Sequence, residues 1–369
     1  MTTAAPLPRL GDLAAACWAR EADDETLARP WKRQGQTAFW FSRAAWGLAA
    51  LARVGVGGGR AAGLWLPDYF CNQSTAPARA TGAEIVFYPV GADLNPRWED
   101  CRRLAERRPP TLFLLVHYFG AAADATEARR FCDGHGALLI EDAAHVLAPA
   151  PGIGEQGDAI LYSPRKLLPI PDGALLLARD SELARQIGRA AAALPEGAPS
   201  PLPWLAKRLI QKASPEVLQR RWNRARALAF AADPPFAPLA ATPQLSGWGR
   251  RLLAIEGTRL ETTAERYRRG REVLVRLFKT GTDAEIFAPA AAAATPYRLV
   301  LSFTDEAIAA ARYATWRDAG LPVETWPDLA PEVVAAPAAH ATALRLRRTL
   351  LFVPLHQSAG LRLSGDRLG

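Results

Sequence analysis

Between Ala62 and Ala178 the chain alternates short apolar runs with amphipathic ones. The runs Ala62–Leu66, Glu84–Val90, Thr111–His117, Ala137–Glu141, Asp158–Tyr162 and Ala174–Leu177 are bounded by turn residues and read as strands. Between them, Arg97–Glu106 and Ala125–His135 space their apolar residues at helical intervals. Asp124 stands before the second of these with Glu127 three residues on, a helix-start signature, and Gly134 and Gly136 mark its end. Ser42 and Arg43 open a further helix, Ala44–Val54, whose Ala44, Ala45, Leu48, Leu51 and Ala52 form an apolar stripe. Strands alternating with helices predict an α/β fold, a mostly parallel sheet covered on both faces. Such sheets take their ligands beyond the carboxyl ends of the strands.

After residue 180 the texture changes. Leu194–Trp204 is interrupted by Pro195, Pro199, Pro201 and Pro203 and reads as a loop; Leu205–Ala231 is helical, with Pro215 as a break or fresh start. A long helix over Leu252–Phe278, a strand Tyr297–Phe303, a helix Asp305–Ala319 stopped by Gly320 and a strand Thr349–Val353 follow. This predicts a large α/β domain over residues 1–245 and a small α+β domain over 246–369, with residues 1–34 packing on the smaller one. Ala288–Ala294 reads as a low-complexity linker.

Composition narrows the class. At 369 residues, 49% hydrophobic and 22% charged, the chain is too apolar for disorder and has the balance of a soluble protein. Arg9, Asp12, Arg20 and Glu21 interrupt the start, so no signal peptide is expected, and no run approaches the ~18 apolar residues of a membrane span. Cys17, Cys71, Cys101 and Cys132 form no CxxC pair, which points away from a zinc ribbon or disulfide framework and toward a reducing cytoplasm. The net charge of +8 is largely a bias toward arginine, since only five of the 45 basic residues are lysines. Arginines cluster at 220–226 and 266–271, but Glu216, Glu261, Glu265 and Glu272 lie among or beside them. These read as solvated helix faces rather than a nucleic-acid surface.

Gly152-Ile-Gly154-Glu-Gln-Gly157 spells the dinucleotide fingerprint, yet it follows a loop and precedes a strand. A fingerprint must follow a strand and open a helix, so the motif is rejected. The informative cluster is Leu138–His145, an apolar strand ending in Glu141 and Asp142 at the ligand-binding edge. About twenty residues on, a second strand ends in Tyr162-Ser163-Pro164-Arg165-Lys166. A chain this poor in lysine that keeps one here has use for an amine, because arginine cannot lose its proton and attack an aldehyde. A strand-end carboxylate with a lysine on the next loop suits pyridoxal phosphate, the acid holding the ring nitrogen's proton and the amine tethering the aldehyde. A structural ion pair explains those two residues on their own just as simply.

Taken together, the motifs resemble the DegT/StrS-type aminotransferases. Val116-His117-Tyr118-Phe119-Gly120, Asp124, His135-Gly136, Ile140–His145, Gly157-Asp158 and Lys166 run in that family's order. Leu66-Pro67-Asp68-Tyr69 resembles its proline-led loop, Thr81-Gly82-Ala83-Glu84 its turn before the next strand, and Phe352-Val353-Pro354-Leu355-His356 its late strand. The resemblance implies the fold-type-I pyridoxal-phosphate architecture. It also implies a homodimer and transfer of an amino group, from glutamate, to a keto group of a nucleotide-linked sugar in polysaccharide or secondary metabolism.

It assigns roles as well. Lys166 would hold the cofactor covalently and Asp142 would pair with its ring nitrogen, against the alternative of Asp142 as a helix cap. His145 would contact the ring oxygen, or be a satisfied buried histidine. Ser42 and Arg43 would meet the phosphate at the helix start, Arg43 alternatively pointing away. Tyr69 or Phe70 would stack on the ring, or be core. Ser163 would donate to the phosphate, although it lies three rather than five residues before the lysine; His117 would support the strand end. The family's asparagine that reaches the neighbouring subunit's cofactor phosphate has no assigned counterpart here; Asn223 is a candidate without a matching motif. Leu167–Ala174 departs from the family's turn after the lysine, which leaves open a non-sugar ketone, a lyase or dehydratase, or a non-catalytic relative.

Overall fold

The computed structural model describes residues 3–56, 63–214, 218, 242–279 and 283–356. Pro215, Asn223, Arg220–Arg226 and the end of the predicted helix at Ala231 lie outside them.

Seven strands form the larger sheet: β1 (Thr37–Phe41), β2 (Gly63–Pro67), β3 (Glu84–Tyr88), β4 (Leu112–Val116), β5 (Leu138–Ala143), β6 (Ala159–Tyr162) and β7 (Ala174–Ala178). Their order is β1-β7-β6-β5-β4-β2-β3. Pairings from β3 through β6 are parallel, whereas β7 runs against both β6 and β1. β7 is reversed because the chain doubles back after Tyr162 with no crossover helix, a connection only antiparallel neighbours permit. Both faces are buried, as helix-covered sheets require: Ala174, Leu176 and Ala178 join one core, Leu175 and Leu177 the other. β1 was not among the expected strands. It carries Phe39, Trp40 and Phe41 in succession and is defined by its pairing with β7.

Helices α1 (Leu10–Trp18), α2 (Asp24–Ala28), α3 (Ala44–Val56), α4 (Asn72–Arg79), α5 (Trp98–Ala105), α6 (Ala125–His135) and α7 (Ser181–Ala192) lie in the first half. Asp124 caps α6 by accepting from the Glu127 N–H at 3.0 Å, and Gly136 ends it with φ +65°, a conformation costly to a side chain. α8 (Leu202–Ala213) starts inside the predicted proline-rich loop, because Pro201 and Pro203 sit at its start, where a missing N–H costs nothing.

The predicted helix Leu252–Phe278 is two helices, α9 (Gly247–Gly257) and α10 (Leu260–Lys279). The break falls at Thr258, whose hydroxyl turns back to the Ile255 carbonyl at 2.8 Å, while Arg259 reaches Asp12 of α1 at 2.7 Å. The alanine run is likewise not a plain linker: α11 (Ala288–Ala291) packs on the Tyr118–Gly120 turn. A second sheet, in the order β10-β11-β9-β8, comprises β8 (Glu285–Ile286), β9 (Arg298–Ser302), β10 (Glu324–Thr325) and β11 (Leu350–Pro354). α12 (Glu306–Asp318) ends before Gly320 (φ +89°), and α13 (Pro331–Ala335) and α14 (Ala341–Thr349) precede β11. Among the described residues the cysteines are free thiols, and no helix is long and apolar enough to cross a membrane.

Candidate active site

The glycine-rich run 152–157 serves an acid of the protein's own. Glu141 is 0% exposed, and its carboxylate accepts from the backbone N–H groups of Gly154, Gln156 and Gly157, the middle one at 2.8 Å. A Cβ at Gly157 would lie 3.1 Å from Glu141 Cγ and 2.8 Å from the Ala159 carbonyl, so the loop can close on the carboxylate only as glycine. His117 completes the network: its Nδ1 accepts from the Ala123 N–H at 3.1 Å, leaving Nε2 to donate to Glu141 at 2.8 Å. Burial raises the Glu141 pKa, but His117 and the loop amides outweigh it and hold the carboxyl below its ordinary range. Glu141 and His117 thus fix the edge of the sheet beside the cavity, a part the sequence did not assign to Glu141.

The next residue faces the cavity. Asp142, 6% exposed at the end of β5, lines a space of about 310 Å³ together with His145, Ser163 and Lys166. One Asp142 oxygen accepts from the Ala144 N–H at 2.9 Å, a turn-type contact; Asp142 lies within β5 and no helix follows it before β6, so it is not a helix cap. Burial pushes the Asp142 pKa up, while the Lys166 charge and the Ala144 amide pull against it. Lys166 ends the single 3₁₀ turn Pro164–Lys166 between β6 and β7. Burial lowers its pKa, Asp142 opposes that, and Arg165 adds to it. Among the described residues no hydrogen bond or ion pair engages the Lys166 amine.

His145 lies between two aromatic rings, stacked on Tyr297 at 4.5 Å and 7° and facing Phe119 at 5.8 Å and 13°. Its Nδ1 accepts from the Phe119 N–H at 3.2 Å, so the neutral ring carries its proton on Nε2. Burial first, then Lys166 and Arg298, drive its pKa well below that of free histidine.

The lysine turn is anchored from outside the sheet. The Leu167 carbonyl accepts from the Tyr267 hydroxyl of α10 at 2.9 Å, and Asp172 takes both the N–H and the hydroxyl of Ser246, the cap of α9, at 2.9 and 2.6 Å.

Two candidates stand elsewhere. Ser42 is buried and absent from the cavity wall; its hydroxyl donates to the Thr242 carbonyl and its N–H to Pro243, so it ties the end of β1 to a distant strand of chain. Tyr69 is also packed away, stacked on Trp326 at 4.5 Å, with its carbonyl accepting from Tyr118. Phe70 and Arg43 do line the cavity.

The wall also contains residues the sequence did not offer: Cys71, Arg165, Tyr297, Arg298, Trp326 and Phe352. Arg165 stood in view beside the lysine with no pattern to set it apart from other arginines. Tyr297, Arg298, Trp326 and Phe352 arrive from the second sheet and its loops, which no local spacing foretells.

The model of the DegT/DnrJ/EryC1/StrS aminotransferase family matches residues 48–192. Among solved structures, PseC of Helicobacter pylori, an aminotransferase of pseudoaminic acid biosynthesis, superposes with TM-score 0.71 at 13% identity, covering 99% of this chain and 96% of its own. The aminotransferase TlmJ of Streptoalloteichus hindustanus gives 0.67 at 22% identity, over 100% and 96%. ColD, a GDP-4-keto-6-deoxymannose-3-dehydratase, gives 0.68 at 12%, over 97% and 96%. At these identities the likeness is one of fold, and the fold is that of the pyridoxal-phosphate aminotransferases. The matched segment carries Asp142, His145 and Lys166, and over it the chain is similar to the DegT/DnrJ/EryC1/StrS aminotransferase family.

Proposed function

We propose that the protein is a pyridoxal-phosphate-dependent aminotransferase that passes an amino group, taken from glutamate, to a keto group of a nucleotide-linked sugar. The observation that carries this is the meeting of an unpaired Lys166 amine, the Asp142 carboxylate and His145 in one cavity at the carboxyl edge of the sheet. A resident group is supported by a buried hydroxyl left without a partner on the cavity wall: Ser163 Oγ, in a residue 1% exposed.

When bound, pyridoxal phosphate supplies an aldehyde for amines and a ring that accepts the electron pair released at the neighbouring carbon. The chain's residues do the rest. Asp142, pushed toward its neutral form by burial, would be held ionised by a cationic ring N–H, and would in return keep that proton on the ring nitrogen. Lys166, its amine easier to deprotonate than in water, would hold the cofactor covalently through its aldehyde carbon, and as a free amine would accept and return a proton. His145 presents Nε2–H as a neutral donor, orienting a ring oxygen without adding charge.

The same reading takes residues 1–245 as the cofactor-holding unit and 246–369 as its companion. It makes the protein a cytoplasmic homodimer serving surface-polysaccharide or secondary metabolism. The activities named for PseC and TlmJ support the reaction type, and PseC supports a sugar acceptor.

Borohydride reduction followed by peptide mapping tests the proposal: the label is expected on Lys166, and glutamate is expected to convert the bound pyridoxal form to the pyridoxamine form. Lys166→Arg keeps the charge but cannot form the carbon–nitrogen double bond, so turnover should vanish. A label on another lysine, or turnover in K166R, would sink the assignment.

A further inference from the structure

Helix α8 turns an apolar side outward. None of its 12 residues is buried, and Leu202, Leu209 and Ile210 are 68%, 42% and 54% exposed. At about 100° per residue, Leu202, Ala206, Leu209, Ile210 and Ala213, all exposed, fall within an arc of about 100°. Among the described residues nothing covers that arc. The opposite side faces the protein. Trp204 and Leu205 pack on the core that includes Leu167 and Leu168, and the Arg208 guanidinium lies 5.8 Å from the Trp204 ring and donates to Gln211 at 2.8 Å. A surface helix ordinarily keeps its outer face polar, so a run of exposed aliphatic side chains marks a surface that meets something else.

The charges beside the arc say what that is. Lys207 and Lys212 flank it, one on each side, about 60° beyond Ile210 and Leu209. They are two of only five lysines in the chain, and α8 contains no acidic residue. Past its end the sequence keeps the same sign, with Arg220, Arg221, Arg224 and Arg226 against the single acid Glu216 between Ser214 and Ala231. Lysine stems lie along an apolar boundary while their ammonium heads stay in the polar layer. Aliphatic side chains between two such lysines match the boundary of acyl chains and anionic headgroups in a bilayer. A second copy fits worse: a two-fold contact would set Lys207 and Lys212 against their own kind, with no acid in the helix to answer them. Nor can α8 cross a membrane, since 12 residues rise about 18 Å against about 30 Å of hydrocarbon.

We propose that α8 is a peripheral membrane-docking element that lays Leu202, Leu209 and Ile210 into the surface of an anionic bilayer, with Lys207 and Lys212 meeting the headgroups. Three aliphatic side chains and two lysines make a reversible attachment rather than an anchor. Docking at α8 is independent of the chemistry at Lys166, whose cavity shares no residue with this helix.

Co-sedimentation of the full-length protein with sucrose-loaded vesicles tests this. Vesicles of equal parts phosphatidylglycerol and phosphatidylcholine should bind it at low ionic strength about 10- to 30-fold more tightly than phosphatidylcholine alone, and added salt should release it. Lys207→Gln combined with Lys212→Gln should weaken binding to the anionic vesicles by a similar factor. Leu209→Asp combined with Ile210→Asp should abolish binding and keep the melting curve of the wild type, because both side chains are already exposed. Leu202→Ser, expected to bind less tightly than the wild type, stands in if that double variant does not fold. The proposal is overturned if the wild type ignores the anionic vesicles, or if L209D/I210D, or L202S in its place, binds them as the wild type does. A wild type that is larger than L209D/I210D by light scattering without lipid would make the face a contact between copies, and would overturn it too.

Discussion

Replacing Glu141 with alanine would remove the acceptor from four buried donors at once, the amides of Gly154, Gln156 and Gly157 and the His117 Nε2–H. Each buried donor left unmatched costs about 1–3 kcal/mol. Water entering the vacated space recovers part of this, so the expected loss is about 3–5 kcal/mol rather than the full sum. Urea unfolding at pH 7, followed by far-ultraviolet circular dichroism, reads that loss as a lowered midpoint. Acetate or formate, small enough to replace the missing carboxylate, should restore part of the stability in E141A and none in the wild type. The acid limb gives a second readout. The folded Glu141 pKa lies below the ordinary value of 4.5, so its contribution is present above that pH and is lost as pH falls through the folded value. E141A should lack this portion of the acid limb. If E141A unfolds within about 1 kcal/mol of the wild type and keeps the same acid limb, the network does not hold the 152–157 loop and the reasoning fails.

Asp142→Asn should keep the borohydride label on Lys166 yet lower turnover by about 100-fold or more, since the amide cannot hold a proton on the ring nitrogen; unchanged turnover would remove Asp142 from the chemistry. His145→Asn tests a different limb. The folded His145 pKa lies well below the ordinary 6.5, so below that pH the unfolded chain takes up a proton that the folded protein refuses. His145 should therefore contribute a drop of about 1.4 kcal/mol per pH unit as pH falls from about 6.5, and H145N should lose that share in melting curves between pH 5 and 7 while the buried His356, its pKa lowered to about 3, keeps its own.

The sheet is legible in the sequence wherever a strand is a short apolar run closed by turn residues, as with Glu84–Tyr88 or Ala174–Ala178. Thr37–Phe41 escapes because a stretch of adjacent aromatics has no period, and only pairing with β7 makes it a strand. The two-residue strands β8 and β10 are too short to leave a pattern. The cavity positions of Asp142 and Lys166 could be read because strand ends are local features with a known address. Ser42 and Tyr69 could not, because each is committed to a partner remote in sequence, Thr242 and Trp326. The glycine run 152–157 shows the converse case: letters that spell phosphate binding are occupied by the chain's own Glu141, a fact that only the spatial approach reveals.

The attachment of Leu167 to Tyr267, and of Asp172 to Ser246, has a practical corollary. The turn carrying Lys166 is tied to α9 and α10 as well as to its parent strand, so damage to those distant helices should shift the Lys166 amine before β6 itself gives way. A gentle handle on the position of Lys166 would be found there, some hundred residues downstream of it.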